Sequence, residues 1–190
     1  MIKVALSAIL FFMFIGLHAQ PSEENREFIK HYIEWAEDYS LCWGDFNGKP
    51  GIEAIGDAGT AVAIKAKPYM VKNKIHYDVH ALFNKNKSWY RDQSSTLLAH
   101  EQLHFDIAEL YARKARKKIK ELAAAGERDL KVYNSEVQKI LNESNLVDQR
   151  YDIETLHGAM TNKQKEWHER VKAGILALEK YKHHKVDIPG

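Results

Sequence analysis

Ser94-Ser95-Thr96-Leu97-Leu98-Ala99-His100-Glu101-Gln102-Leu103-His104-Phe105-Asp106-Ile107-Ala108-Glu109-Leu110-Tyr111 opens a long run of good helix formers. Ser94, Ser95 and Thr96 can each accept a hydrogen bond from a free first-turn amide, so a helix is expected to start there. Helix formers dominate as far as Ala125, and Gly126 is the expected stop. With His100 at zero on a helical wheel, Leu97, His104, Ile107, Ala108 and Tyr111 fall within about 80° of it. Both histidines therefore face inward, and Glu101 lies at the border of that sector. Two imidazoles one turn apart can grip one zinc ion, and the glutamate can hold a water against it. An H-E-x-x-H run arises in roughly 4% of shuffled chains of this composition, so the residues around it must carry the rest.

Working outward, the segment before the helix reads as strands and turns. Residues 60–67 (T-A-V-A-I-K-A-K) are β-rich, Lys72-Asn73-Lys74 is a turn, and residues 75–83 alternate in polarity. Together they predict a β-hairpin. Asn47-Gly48-Lys49-Pro50-Gly51 is a turn by composition. Residues 28–35 fit either a strand or a short helix. After the long helix, residues 135–151 carry Val137, Ile140, Leu141 and Val147 at helical spacing. Thr161 with Gln164 three residues on forms a capping box for a last helix, which shows Trp167, Val171, Ile175 and Leu178 on one side. Strands followed by helices, without repeats or a low-complexity linker, indicate a single domain of α+β type.

The first nineteen residues stand apart. Lys3 precedes an apolar stretch from Val4 to Leu17, and Leu17-His18-Ala19 ends in a small residue. The stretch is short for a membrane span and suits a signal peptide over residues 1–19, cleaved before Gln20. The expectation is an exported protein, periplasmic or extracellular, with residues 20–190 as the folded domain and no membrane span in it. The net charge of +2 across 190 residues gives no sign of a nucleic-acid binder. One cysteine, Cys42, cannot form an internal disulfide, and an unpaired cysteine of this kind is expected in an apolar strand of the core.

A catalytic zinc needs three protein ligands and one open position. Glu109 lies opposite His100 on the wheel, and Asp106 also faces away. The third ligand is therefore sought downstream, where Asp152, Glu154 and His157 stand out. His157 precedes Gly158 in a break between helices and is the first choice. Glu154 would complete a His2Glu site. Asp152 more naturally orients a histidine through its free ring nitrogen.

Three blocks in order give the chain a family likeness. They are Leu41-Cys42-Trp43-Gly44-Asp45-Phe46-Asn47-Gly48-Lys49-Pro50, then Ser88 to Arg113 around the H-E-x-x-H, then Tyr151-Asp152-Ile153-Glu154-Thr155-Leu156-His157-Gly158. The set resembles a bacterial secreted zinc-protease-like family known as domain of unknown function 922. The resemblance implies a zincin-like fold: N-terminal antiparallel strands, a long metal-binding helix, and two further helices. It also implies one Zn2+ on His100, His104 and His157, with Glu101 as base.

In an enzyme of that kind Glu101 would take a proton from the metal-activated water and pass it to the leaving amine of a peptide or protein substrate. Tyr151 is a candidate second stabiliser of the oxyanion, with packing beneath the helices as its plain alternative. By analogy with zincin-like folds, the strand at residues 75–83 would bind substrate by strand addition. The other class of function is a non-catalytic, zinc-stabilised envelope protein that binds a partner. Elsewhere, His76 and His80 sit roughly 13 Å apart along a strand, too far for easy chelation of one metal. They read as surface or groove residues, and His183 and His184 as solvent-exposed. Arg113, Arg116, Lys117 and Lys120 lie opposite the metal face and are expected to form a solvated helix back.

Overall fold

Alternation between residues 62 and 84 produces a long antiparallel hairpin, β3 (Val62–Val71) and β4 (Lys74–Asn84), paired in register from Val62 opposite Phe83 to Val71 opposite Lys74. The computed structural model describes residues 28, 30–72 and 74–188, and His31–Gly190 form one compact unit. The signal peptide and cleavage site expected at residues 1–20 lie outside the described residues. The architecture is α+β, antiparallel strands followed by three helices. Among the described residues no helix is long and apolar enough to cross a membrane.

The strand β4 is central. β3 covers one of its edges. The other edge is shared by two short strands, β1 (Tyr32–Glu34) near residues 82–84 and β6 (Lys185–Asp187) near residues 76–78. The expected substrate-binding edge at residues 75–83 is thus corrected: these residues are paired on both sides, and β3 is an outer strand. Pro68 within β3 accords with that place, since proline cannot donate to a further ladder. A separate two-stranded piece joins β2 (Ala58–Gly59) to β5 (Trp89–Tyr90).

One face of β4 carries Tyr77, Val79, Ala81 and Phe83, all buried against the first helix, α1 (Ser95–Ala124). That helix starts where expected. Ser94 caps it by accepting from Leu97 N, and Gly126 follows its end with a φ of 81°. Ala108, Ala112 and Ala115 recur on its sheet-facing side and let the helix lie close to the strands. A second cluster, on another side of α1, joins Leu103, Ile107 and Tyr111 to Tyr151 of α2 (Leu130–Thr155) and to Trp167 and Val171 of α3 (Thr161–Ala177). The helix α1 is therefore covered by the sheet on one side and by two helices on another. Burial of a Leu, Ile or Phe side chain contributes about 1.5–3 kcal/mol each, so two clusters rather than one fix its position.

Residues 41–50 form a tight cross-link rather than a strand. Trp43–Asp45 is a 3-10 turn whose Asp45 carboxylate accepts from Cys42 N and from the Tyr39 hydroxyl. Phe46 enters the core edge-on to Phe83. Gly48 donates to Ser88 O, and a Cβ there would meet the carbonyl oxygens of Asn86 and Ser88 at 2.8 Å, so only glycine fits. Cys42 is exposed, not in the core, because it precedes the turn and its neighbour Leu41 takes the buried place.

The expected solvated helix back is solvated only in part. Arg113 and Arg116 are 1% and 0% exposed. Chain beyond α3, through the 3-10 turn Glu179–Tyr181, folds over them. Arg116 donates to the carbonyls of Val79 and Tyr181, and both arginines donate to the buried Glu109 carboxylate. Lys117 and Lys120, one step around the helix, keep their access to water.

Candidate metal centre

His100 and His104 project from the same face of α1, with their Nε2 atoms 3.3 Å apart. Asp152, from the last turn of α2, brings its Oδ1 to 3.1 Å from His100 Nε2 and 3.0 Å from His104 Nε2. Three potential ligand atoms thus lie at mutual separations of 3.0–3.3 Å. Tetrahedral zinc with bonds near 2.0–2.1 Å would hold its ligands about 3.3–3.4 Å apart.

The far ring nitrogens decide which tautomers meet at that point. His104 Nδ1 lies 2.6 Å from Asp148 Oδ1, and His100 Nδ1 lies 3.1 Å from Gln164 Oε1. Each Nδ1 faces an acceptor and so carries the proton in the neutral ring. Both Nε2 atoms are then left with bare lone pairs, the form in which imidazole binds a metal. In that form two lone pairs and a carboxylate oxygen converge on one point, an arrangement relieved either by a proton on His104 Nε2 donating to Asp152 or by a metal cation. The donor set of two nitrogens and one oxygen suits zinc.

The protein's own charges tell the same story. Burial works against a charge on His104, yet the carboxylates of Asp148 and Asp152 outweigh it and push the imidazole up to about 10. Burial also opposes the Asp152 charge, but the hydrogen bonds and charges of the two histidines hold its carboxyl well below the usual carboxylate range. Positive charge at this point is what the surroundings favour.

Glu101 is 2% exposed. Desolvation pushes its carboxyl above the ordinary range, partly offset by His104. Thr60 also lowers it, yet among the described residues neither Glu101 Oε2 nor Thr60 Oγ1 has a partner at full hydrogen-bond geometry. A buried carboxylate oxygen without a partner costs on the order of 1–3 kcal/mol or more, so something absent from the protein chain is its natural complement.

Tyr151 lies fully buried beneath this group. Its ring stacks on His100 with centroids 4.7 Å apart and meets His104 edge-on at 4.9 Å. The Tyr151 hydroxyl donates to Gln164 Oε1 and approaches His100 O, and burial raises it far above the normal phenol range. Its hydroxyl is thus held inside the helix packing. Gly158 closes the other side of His100. It has a φ of 88°, and a Cβ there would come within 3.1 Å of the imidazole.

The other candidates sit further out. His157 follows the helix end in a left-handed conformation, with a φ of 52° and a half-exposed side chain. Its Nδ1 is 3.5 Å from Asp152 Oδ1, but it does not join the close group of ligand atoms. Glu154 points away and accepts from Trp167 Nε1 at 2.9 Å. Asp148 and Gln164 escaped the sequence reading. Asp148 and Asp152 are four residues apart, the spacing that puts two side chains on one helix face. That signal was present, but the predicted helix stopped at 151, short of the observed end at Thr155. Gln164 read as a capping residue. In the structure Met160 precedes α3 without a side-chain cap, and the Gln164 amide oxygen turns to His100 and Tyr151 instead.

A cleft of about 380 Å³ opens beside the centre. Residues 60–64 form one wall, Gln138, Leu141, Ser144, Asn145 and Asp148 the other, and His104 and Ile107 lie at the floor.

The model of a bacterial protein family of unknown function, DUF922, matches residues 62–158, which span β3, β4, α1 and α2 with both histidines, Glu101, Asp152 and His157. No curated protein and no solved structure matches the chain.

Proposed function

From membership of this chain in the bacterial family DUF922, we propose a zincin-like, zinc-dependent peptidase centred on His100, His104 and Asp152. The observation that carries the reading is the convergence of three potential ligand atoms, His100 Nε2, His104 Nε2 and Asp152 Oδ1, beside the buried Glu101. Zinc held there would supply a Lewis acid and a water acidified toward pKa 7. With the metal bound, Glu101 would be the group placed to take up a proton from water and deliver it to the departing amine. Its raised carboxyl is tuned in the direction an acid–base group needs. Asp148 and Gln164 fix the two imidazoles, and Tyr151 is a positioning residue beneath them rather than an oxyanion donor. The outer strand β3 and the adjoining cleft suit an extended peptide laid along the strand. The expected export through a signal peptide places such an enzyme in the periplasm or outside the cell.

A second reading rests on His157. Its Nδ1 is near enough to Asp152 that a side-chain rotation could bring it in as a fourth ligand. A closed four-ligand site would be structural, a zinc-stabilised envelope protein without catalysis. One experiment separates the two. Purified protein is analysed for zinc and screened against denatured proteins and mixed peptides, beside Glu101→Gln and His157→Ala. The peptidase reading expects one zinc at this centre in all three, cleavage by wild type, and a rate lowered by about 10²–10⁴-fold in Glu101→Gln. Cleavage in neither wild type nor His157→Ala, with zinc in wild type lost on His157→Ala, would leave the structural reading.

A further inference from the structure

A second cluster of ligand-bearing side chains lies on the opposite face of the sheet. Val79 and Ala81 point into the core against α1, so His80 between them faces the other way. Along the outer edge of β4, β1 and β6 meet nearly end to end. Glu34 ends β1, and His184 stands just before β6. Trp35 N donates to Ala81 O at 3.1 Å and Val79 N donates to His184 O at 3.0 Å, which hold both segments beside His80.

The three side chains meet through three atoms. His80 Nδ1 is 2.6 Å from Glu34 Oε1, His184 Nδ1 contacts the same oxygen, and the two Nδ1 atoms are 2.9 Å apart. Each of the three atoms can offer a lone pair to a common point, and a cation there would bind all three.

We propose that Glu34, His80 and His184 form a second site for a divalent transition metal, separate from the centre on α1. Two imidazole nitrogens and one carboxylate oxygen are the donors chosen by Zn2+, Ni2+ and Cu2+, not by Ca2+ or Mg2+. The side chains are 35%, 27% and 36% exposed for Glu34, His80 and His184. The remaining coordination positions therefore open to water, and the ion would exchange with solution. Its structural effect is to clamp β1 and the start of β6 to the central strand.

The test is equilibrium dialysis against Zn2+, Ni2+ and Cu2+ separately, followed by metal analysis and thermal melting. Wild type is expected to hold two equivalents of at least one of these metals. His80→Gln and His184→Gln, each checked for native circular dichroism, should hold one. A His100→Ala/His104→Ala double variant should also hold one, and that metal should raise its Tm in a manner abolished by His184→Gln. These losses are independent, so failure of the α1 centre and failure of this site give different patterns. Stoichiometry unchanged by both His80→Gln and His184→Gln would overturn the proposal.

Discussion

At the scale of single residues, the centre is built by what holds the imidazoles as much as by the imidazoles. Asp148 and Gln164 stand against the outer nitrogens and so turn the inner ones toward one point. Removing such a partner characteristically lowers metal affinity by about 10–100-fold with every ligand still present. Asp148→Ala is expected to weaken zinc binding by that factor, read by competition with a chromophoric chelator. Unchanged affinity would mean that His104 needs no orienting partner. Asp152→Ala should weaken binding further than His157→Ala, because Asp152 contributes one of the three converging atoms and His157 does not. The reverse order would restore His157 as the third ligand. The two histidines and Glu101 could be found from sequence because all three lie within a single helix of regular period. The partners on α2 and α3 could not be ranked, since their approach depends on how two other helices cross α1.

At the scale of elements, α1 shows why a helical wheel is an incomplete guide. The wheel separates the face carrying His100 and His104 from the face carrying Glu109, Arg113 and Arg116, and that separation holds. It cannot say what lies against the second face. The strand β6 returns along β4, and the turn before it delivers the carbonyl of Tyr181 to Arg116. Glu109 accepts from two buried guanidinium groups there, and Glu179 supplies a second carboxylate to Arg113. Removing one partner of a buried ion pair strands the other charge, at about 3–5 kcal/mol. Glu109→Ala should lower stability by that amount in urea unfolding monitored by circular dichroism, with the zinc stoichiometry at the α1 centre unchanged in the folded protein. A loss below about 1 kcal/mol, the level of an exposed pair, would show that water reaches the arginines. The hairpin and the start of α1 were legible, because alternation and a serine cap are local signals. The pairing of residues 32–34 and 185–187 with one edge of β4 was not, because strands of three residues carry too little pattern.

At the scale of the whole molecule, packing around α1 buries tyrosines from every layer. Tyr77 of the sheet, Tyr111 of α1, and Tyr133 and Tyr151 of α2 all have their phenols raised above the ordinary value by desolvation first, with Tyr77 pushed up to about 12. Tyr77 and Tyr111 also donate hydrogen bonds, to Asn134 and Glu143, that a phenolate could not make. The sign of the linkage follows. In the unfolded chain these groups lose protons near pH 10, while in the folded protein they keep them. Their contribution to stability is complete below about pH 10 and is lost as pH rises through the folded values, so unfolding becomes progressively favoured. These four phenols should ionise only as the fold is lost. The expected record is a rise in tyrosinate absorbance whose late stage coincides with loss of the far-ultraviolet dichroism of the helices. In Tyr77→Phe that late stage should shrink by one phenolate. A single absorbance transition near pH 10, completed while the dichroism is intact, would mean that the tyrosines under α1 exchange protons freely with solvent. The buried platform that holds His100 and His104 in register would then be looser than these contacts require.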